Sequence, residues 1–202
     1  ALRLSANVTS FDGSQTLRIN RGGLIFNGAT ASDLNVTTQF GTGAGALLTE
    51  AIVYVRDGQT GTSSISGNVS ARDFTKTGPG ILELSGAANV LNSNATRQPV
   101  LSVQNGTFRF ANAGAQFTNE RRPASTTALT AHYVLNVNEA GIFDLNGIDT
   151  RVGGLTGNGT ITTGLAGVQK FTSQNGFGVD TVFSGSISDG AGSVVFTKTG
   201  NG

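Results

Sequence analysis

Residues Phe74 to Gly86 read Phe-Thr-Lys-Thr-Gly-Pro-Gly-Ile-Leu-Glu-Leu-Ser-Gly, and the first half of this motif returns at the end of the chain. There, Phe196 to Gly202 read Phe-Thr-Lys-Thr-Gly-Asn-Gly. The second half stands at the beginning, where Ala1 to Val8 read Ala-Leu-Arg-Leu-Ser-Ala-Asn-Val. Laid head to tail, the two ends restore the motif with one residue deleted. This pattern predicts that the sequence is one period of a repeating array.

A shorter motif occurs three times, at residues 17–26, 101–110 and 135–145. In each copy, apolar residues alternate with other residues on both sides of a glycine-containing bend, which predicts two short strands. Asp-Gly and Asn-Gly steps mark turns between further strands. No stretch carries a sustained period of 3.6 residues with helix caps, so we expect little or no helix.

Many short strands with glycine turns fit either a β-sandwich or a β-solenoid. Repetition favours the solenoid, because each coil repeats the environment of the coil before it. We therefore predict one continuous all-β solenoid over residues 1–202. It divides into two unequal units, residues 75–196 and residues 197–202 continuing through 1–74 of a next copy. Residues 113–133 are the least repetitive and are predicted to leave the solenoid as a side excursion.

The motifs at residues 74–86, 101–110 and 138–161 resemble the passenger-associated repeats of bacterial autotransporters and the similar repeats of giant surface proteins. The resemblance covers residues 66–112 and 135–202 well and residues 1–65 more loosely. It implies a right-handed parallel β-helix, export across the envelope, and a place at the bacterial cell surface or outside the cell. A period would then hold roughly eight to ten coils of about 20–25 residues and advance about 40–50 Å.

Composition excludes several functional classes. Charged residues make up 12% of the chain, about half the usual share, and the net charge is +1 with basic residues scattered, so we expect no nucleic-acid partner. No apolar run approaches the roughly 18 residues that span a bilayer, so we expect no membrane insertion of this segment. Cysteine is absent, which excludes disulfides and cysteine-based metal sites.

The predicted excursion contains the only histidine in the sequence. One interpretation is the binding loop of an adhesin, whose solenoid is a stalk and whose loop contacts a glycan or a surface protein. The other is a structural excursion that covers one corner of the solenoid. The residues of the candidate binding loop are Arg121, Arg122, His132 and Tyr133.

Parallel β-helices also include carbohydrate-active enzymes, for which two converging carboxylates are needed. Asp144 and Asp149 are candidates, but Asp144 takes a variable, outward repeat position and Asp149 lies in a turn. We interpret both as structural, so we predict no catalytic residues and no enzyme. Residues 153–159 have the glycines of calcium-binding repeats without the aspartate, so no metal or cofactor is predicted.

The preferred function is structural: a component of an extracellular fibre or surface array that assembles head to tail. The partners are copies of the chain itself, joined as a covalent tandem or docked as separate subunits. The first and last strands would stack, because solenoid ends expose unpaired backbone groups. The residues predicted at these assembly ends are Ala1, Leu2, Leu4, Val194, Phe196 and Gly202.

Lys76 and Lys198 hold equivalent places in the repeated motif. We expect both to point outward at strand ends, where a charged side chain limits unwanted sheet pairing.

Overall fold

The computed structural model describes residues 1–44, 47–92, 98–118, 133–175 and 180–200. Within these ranges, the only helical residues are Leu47 and the 3-10 turn at Ala113–Ala115, so the expectation of an all-β chain is confirmed. The strands are β1 (Leu2–Leu4), β2 (Val8–Thr9), β3 (Thr16–Ile19), β4 (Gly23–Phe26), β5 (Asp33–Asn35), β6 (Thr37–Phe40), β7 (Ala51–Val55), β8 (Ser63–Ile65), β9 (Val69–Ala71), β10 (Phe74–Thr77), β11 (Ile81–Leu84), β12 (Val90–Leu91), β13 (Val100–Phe110), β14 (Val134–Asp144), β15 (Thr150–Val152), β16 (Gly154–Gly157), β17 (Thr160–Thr162), β18 (Val168–Asn175), β19 (Ser186–Ile187) and β20 (Ser193–Gly200).

The strands follow the alternation of apolar side chains in the sequence. In β7, Ala51, Val53 and Val55 are buried, whereas Ile52 and Tyr54 point outward. β8 and β9 show the same period of two on a smaller scale. Because successive side chains of a strand point to opposite faces, the alternation assigns one face of each strand to the core.

Every pair of named strands is parallel, and each strand pairs with strands from distant parts of the chain. Sheet A has thirteen strands, and its main path runs β1-β4-β7-β10-β13-β11-β8-β5-β2. β14, β16, β17 and β19 extend it beyond β13. Sheet B follows the order β12-β9-β6-β3, and sheet C the order β15-β18-β20.

The prediction of a right-handed parallel β-helix, a solenoid of short strands, is wrong. The nine strands on the main path of sheet A instead form a nearly closed, barrel-like arrangement, with the parallel sheets B and C beside it. The reason lies in the bend at Asn105 and Gly106, which was expected to separate two short strands. It stays inside the eleven-residue strand β13, whose first half pairs with β10 and whose second half pairs with β11. Two rows of strands thereby merge into one sheet that turns back on itself.

Phenylalanine rings fill the middle of the core. Phe108 lies 5.8 Å from Phe74, 5.1 Å from Phe110 and 6.0 Å from Phe143, measured between ring centroids. Two of these three contacts are edge-on and one is stacked, which are the arrangements that aromatic quadrupoles favour. The rings come from three different strands, so the cluster ties β10, β13 and β14 together.

Candidate assembly edges

Lys76 shows how the repeated motif is built inside the fold. Its side chain is buried, with 0% of its surface exposed, so the prediction that it points outward is wrong. Its Nζ donates to the backbone carbonyls of Gly78, Gly80 and Asn105, the last at 2.7 Å. The ammonium is tolerated in the core because it finds three acceptors there. We call these three carbonyls the lysine cradle.

Burial in the cradle lowers the pKa of the Lys76 ammonium to about 7, from the ordinary value of 10.5. Below about pH 7, the folded and unfolded chains both carry this proton, so the group adds no pH dependence. Between about pH 7 and 10.5, the unfolded chain holds a proton that the folded chain has released. The free energy of unfolding gains a contribution that rises with pH over this interval.

We therefore expect the free energy of unfolding to rise with pH in the wild-type chain and not in a variant that lacks Lys76. Denaturant unfolding of the wild-type chain, compared with Lys76→Met between pH 6.5 and 9.5, should show an increase in the wild-type curve that the variant lacks. Lys198→Met retains Lys76 and should follow the wild type. A difference between the wild type and Lys76→Met that stays constant with pH would contradict the lowered pKa.

The first candidate surface is the C-terminal edge, which we define as the outer edges of β19 and β20. β20 pairs with β18, placing Phe196 beside Phe171 with their rings stacked at 5.8 Å. β19 pairs with β17. In the part of the chain that the structure describes, no strand pairs with the other side of β19 or β20. Phe196 remains 43% exposed although it lies against the core.

A cavity of about 300 Å³ opens at the C-terminal edge. It is lined by inward-facing apolar side chains from the last rows of strands and by polar groups beside them. Its lining residues include Leu155, Asn175, Phe183, Ile187, Phe196 and Lys198. Within the described residues, the cavity therefore exposes apolar side chains at this edge.

The second candidate surface is the N-terminal edge, defined as the outer edges of β1, β2 and β3. Across the described ranges, these strands pair on one side only, with β4, β5 and β6 respectively. Leu4 is buried, whereas Leu2 on the same strand is 37% exposed. Like the C-terminal edge, this surface presents backbone groups and apolar side chains together.

The structure places most of the predicted end residues at these two edges. Ala1, Leu2 and Leu4 lie at the N-terminal edge, and Val194 and Phe196 lie on β20. Gly202 falls outside the described residues. The edges belong to opposite ends of the chain, and the two groups of residues are not brought together within one copy.

The predicted binding loop stays a prediction for the most part, since Arg121, Arg122 and His132 lie outside the described residues. Tyr133 is described and is only 2% exposed. Its ring stands edge-on to Phe117, with centroids 6.1 Å apart. Burial raises the pKa of its phenol above the ordinary value. Tyr133 therefore packs in the core instead of presenting a surface contact.

The two candidate carboxylates are engaged by backbone donors. Asp144 accepts hydrogen bonds from the backbone N–H groups of Asn146 and Gly164, at 2.8 and 2.7 Å. It is buried, contrary to the expectation of a solvated outward position. Asp149 accepts from the backbone N–H of Lys170 at 2.8 Å. Both side chains hold the backbone of neighbouring turns and strands.

The sequence patterns did not indicate the lysine cradle or its relation to the bend at Gly22. The signal was present, because residues 17–26 and 101–110 share one motif and Gly22 aligns with Gly106. Both glycines have positive φ, +91° and +68°, which favours glycine at this bend.

Comparisons with protein-family models, with curated proteins and with solved structures found no match. The described residues include no helix that is long and apolar enough to cross a membrane. Among the same residues, no group of three or more His, Cys, Asp or Glu side chains is placed to hold a metal ion.

Proposed function

We propose that the chain is a structural component of an extracellular bacterial fibre or surface array, in which copies stack head to tail through parallel strand pairing. The C-terminal edge of one copy meets the N-terminal edge of the next. The copies are either joined in one polypeptide or docked as subunits. The surface location follows from the resemblance to autotransporter passenger repeats and stands as part of this proposal.

One observation carries the proposal. The internal motif pairs Leu82 with Phe108 and Leu84 with Phe110, where β11 meets β13. The half motif at the beginning of the chain does the same: β1 and β4 pair in a register that matches Leu2 with Leu24 and Leu4 with Phe26. The first strand thus already occupies the position that the second half of the motif takes inside the fold. At the other end of the chain, β20 carries the first half of the same motif.

Both edges are chemically suited to pairing with another strand. An open parallel edge presents unpaired backbone N–H and C=O groups, which another strand can satisfy. At the C-terminal edge, the cavity also exposes apolar surface that a further row of side chains would bury. Because the two surfaces differ, each copy retains an edge for the next, and the contact propagates as a filament instead of closing.

Head-to-tail stacking predicts a regular repeat along the filament. Electron micrographs of the native material should show filaments with such a repeat, one per copy. Its intact mass distinguishes separate subunits, at 20.5 kDa, from multiples of that value in a tandem chain.

Charged substitutions at the edges test the assembly. Phe196→Asp places a carboxylate in the opening at the C-terminal edge, and we expect it to abolish filaments because stacking would bury that charge. Leu2→Asp should do the same from the N-terminal edge. Sedimentation and electron microscopy measure the loss, and circular dichroism verifies that each variant is folded.

Ile52→Asp is the matched control. Ile52 is also 43% exposed, but it points outward from β7 in the middle of sheet A. This variant should assemble like the wild type. Wild-type material that remains monomeric at all concentrations would overturn the proposal of docked subunits, and filaments formed equally well by folded Phe196→Asp and Leu2→Asp would overturn the role of the edges.

A further inference from the structure

We infer a defined register for the contact between copies: β20 of one copy pairs in parallel with β3 of the next, with Phe196 opposite Leu17 and Lys198 opposite Ile19. In this register, the backbone carbonyl of Arg21 in the next copy becomes an acceptor for the Lys198 ammonium. The inference rests on the proposed head-to-tail stacking and specifies the partner strand, the residue pairs and the contact at the lysine.

The pairing of β10 with β13 supplies the geometry. There, Phe74 lies opposite Leu101 and Lys76 opposite Val103. Phe196 and Lys198 occupy the places of Phe74 and Lys76 in the repeated motif. The partner strand for β20 should therefore carry the same sequence pattern as β13.

β3 and β4 carry that pattern with the required spacing. Leu17 precedes Leu24 by seven positions, as Leu101 precedes Phe108. Leu24 pairs with Leu2 as Phe108 pairs with Leu82. Leu17 takes the place of Leu101, which is the partner of Phe74, and we therefore place Leu17 opposite Phe196.

The bend after β3 has the backbone shape that the lysine cradle requires. At Gly106, a Cβ atom would lie 2.5 Å from the Lys76 Nζ and from the Pro79 carbonyl oxygen, so the close packing around the ammonium requires glycine. Gly22 has the same left-handed φ, and the heavy atom nearest to its Cβ position is the Ala1 backbone nitrogen, at 3.3 Å. The bend at Gly22 thus has the same left-handed backbone conformation as the bend at the lysine cradle.

Lys198 is oriented for the same contact. Its Nζ donates to the carbonyl of Gly200 at 3.3 Å, the acceptor two positions ahead, as Lys76 does with Gly78. Its side chain is exposed and lines the cavity at the C-terminal edge. Asn105 follows Leu101 by four positions, and Arg21 follows Leu17 by four, so the Arg21 carbonyl takes the place of the Asn105 carbonyl.

Directed disulfide formation tests the register, because the chain contains no cysteine. Thr197→Cys and Arg18→Cys, made in separate chains, are mixed in denaturant, refolded together and oxidised. Cross-strand neighbours lie about 4.8 Å apart, within the Cα separation that a disulfide spans. We expect a disulfide-linked dimer of the two variants.

In the matched control, Thr16→Cys replaces Arg18→Cys. Thr16 lies two residues from the proposed partner of Thr197, so the Cα atoms of residues 16 and 197 would be about 8 Å apart, too far for a disulfide. We expect at least about tenfold less dimer. Filaments that cross-link through Thr16→Cys as well as or better than through Arg18→Cys would overturn the register while leaving head-to-tail stacking intact. Sedimentation that shows no assembly of the refolded mixtures would overturn both.

Lysine substitutions test the contact with Arg21. Lys198→Met should raise the concentration at which filaments form by about tenfold, because a charge-assisted hydrogen bond at the junction is lost. Lys170→Met, an exposed lysine on the neighbouring strand β18, removes the same charge and should leave that concentration unchanged. Equal effects of the two variants would overturn the contact.

Discussion

Replacing Lys76 with methionine is expected to lower the free energy of unfolding by about 2–4 kcal/mol. Methionine retains an apolar stem of similar length, so the packing around the stem is largely preserved. It cannot donate to the carbonyls of Gly78, Gly80 and Asn105, which remain inside the fold. Each buried acceptor without a donor is costly, and the loss falls at the point where β10, β11 and β13 meet.

Lys198→Met is the matched control for this prediction. It makes the same change at the equivalent position of the motif, but on an exposed side chain. Unfolding of dilute, unassembled protein in urea, followed by circular dichroism, should show a change within about 0.5 kcal/mol. If the two variants lose the same small stability, the cradle does not stabilise the fold.

The largest expected loss of stability follows Phe108→Ala, at about 3–5 kcal/mol. Phe108 is fully buried, and its ring contacts Phe74, Phe110 and Phe143. Truncation removes the buried ring surface and leaves a cavity that the surrounding strands fill only in part. Three aromatic contacts are lost at the same time.

Phe11→Ala provides the comparison, since Phe11 is 98% exposed. Its removal should change the free energy of unfolding by no more than about 0.5 kcal/mol in the same urea experiment. A loss below about 1 kcal/mol for Phe108→Ala would show that the core around β13 is not packed as described.

The alternation of side chains allowed much of the local structure to be predicted. The all-β class and the extended backbone on both sides of the bend in residues 101–110 follow from it, because an outward or inward position depends only on local geometry. The same rule predicts that Lys76 shares a face with Phe74, two positions earlier. Its charge argued for the opposite orientation, and the decisive acceptor, Asn105, lies 29 positions away in sequence.

The arrangement of the sheets could not be predicted in the same way. Whether Asn105 and Gly106 interrupt a strand or lie within it depends on β10, β11 and β14, which pair with β13. Asn89 shows the same limit. Its side chain donates to the carbonyls of Gly86 and Ala115 and accepts from the N–H of Val69. The Ala115 acceptor lies 26 positions away in sequence, so no local pattern indicates it.

The candidate edges were predictable in their residues but not in their register. The divided motif identified the first and last strands directly. The register became visible only in the structure, where Leu2 of β1 pairs with Leu24 of β4. This pairing corresponds to the pairing of Leu82 of β11 with Phe108 of β13 in the internal motif. Register depends on strands that are distant in sequence, which a local motif does not encode.

The uniformly parallel pairing also has a consequence for how the chain folds. Leu2 meets Leu24, and Phe74 meets Leu101, so the partners of a strand arrive only after a substantial loop has closed. Without hairpins between neighbouring named strands to nucleate it, a free chain should fold slowly, over milliseconds to seconds. An existing edge offers an incoming chain its first partner strand before any loop has closed. Preformed filaments should therefore seed the folding of further copies.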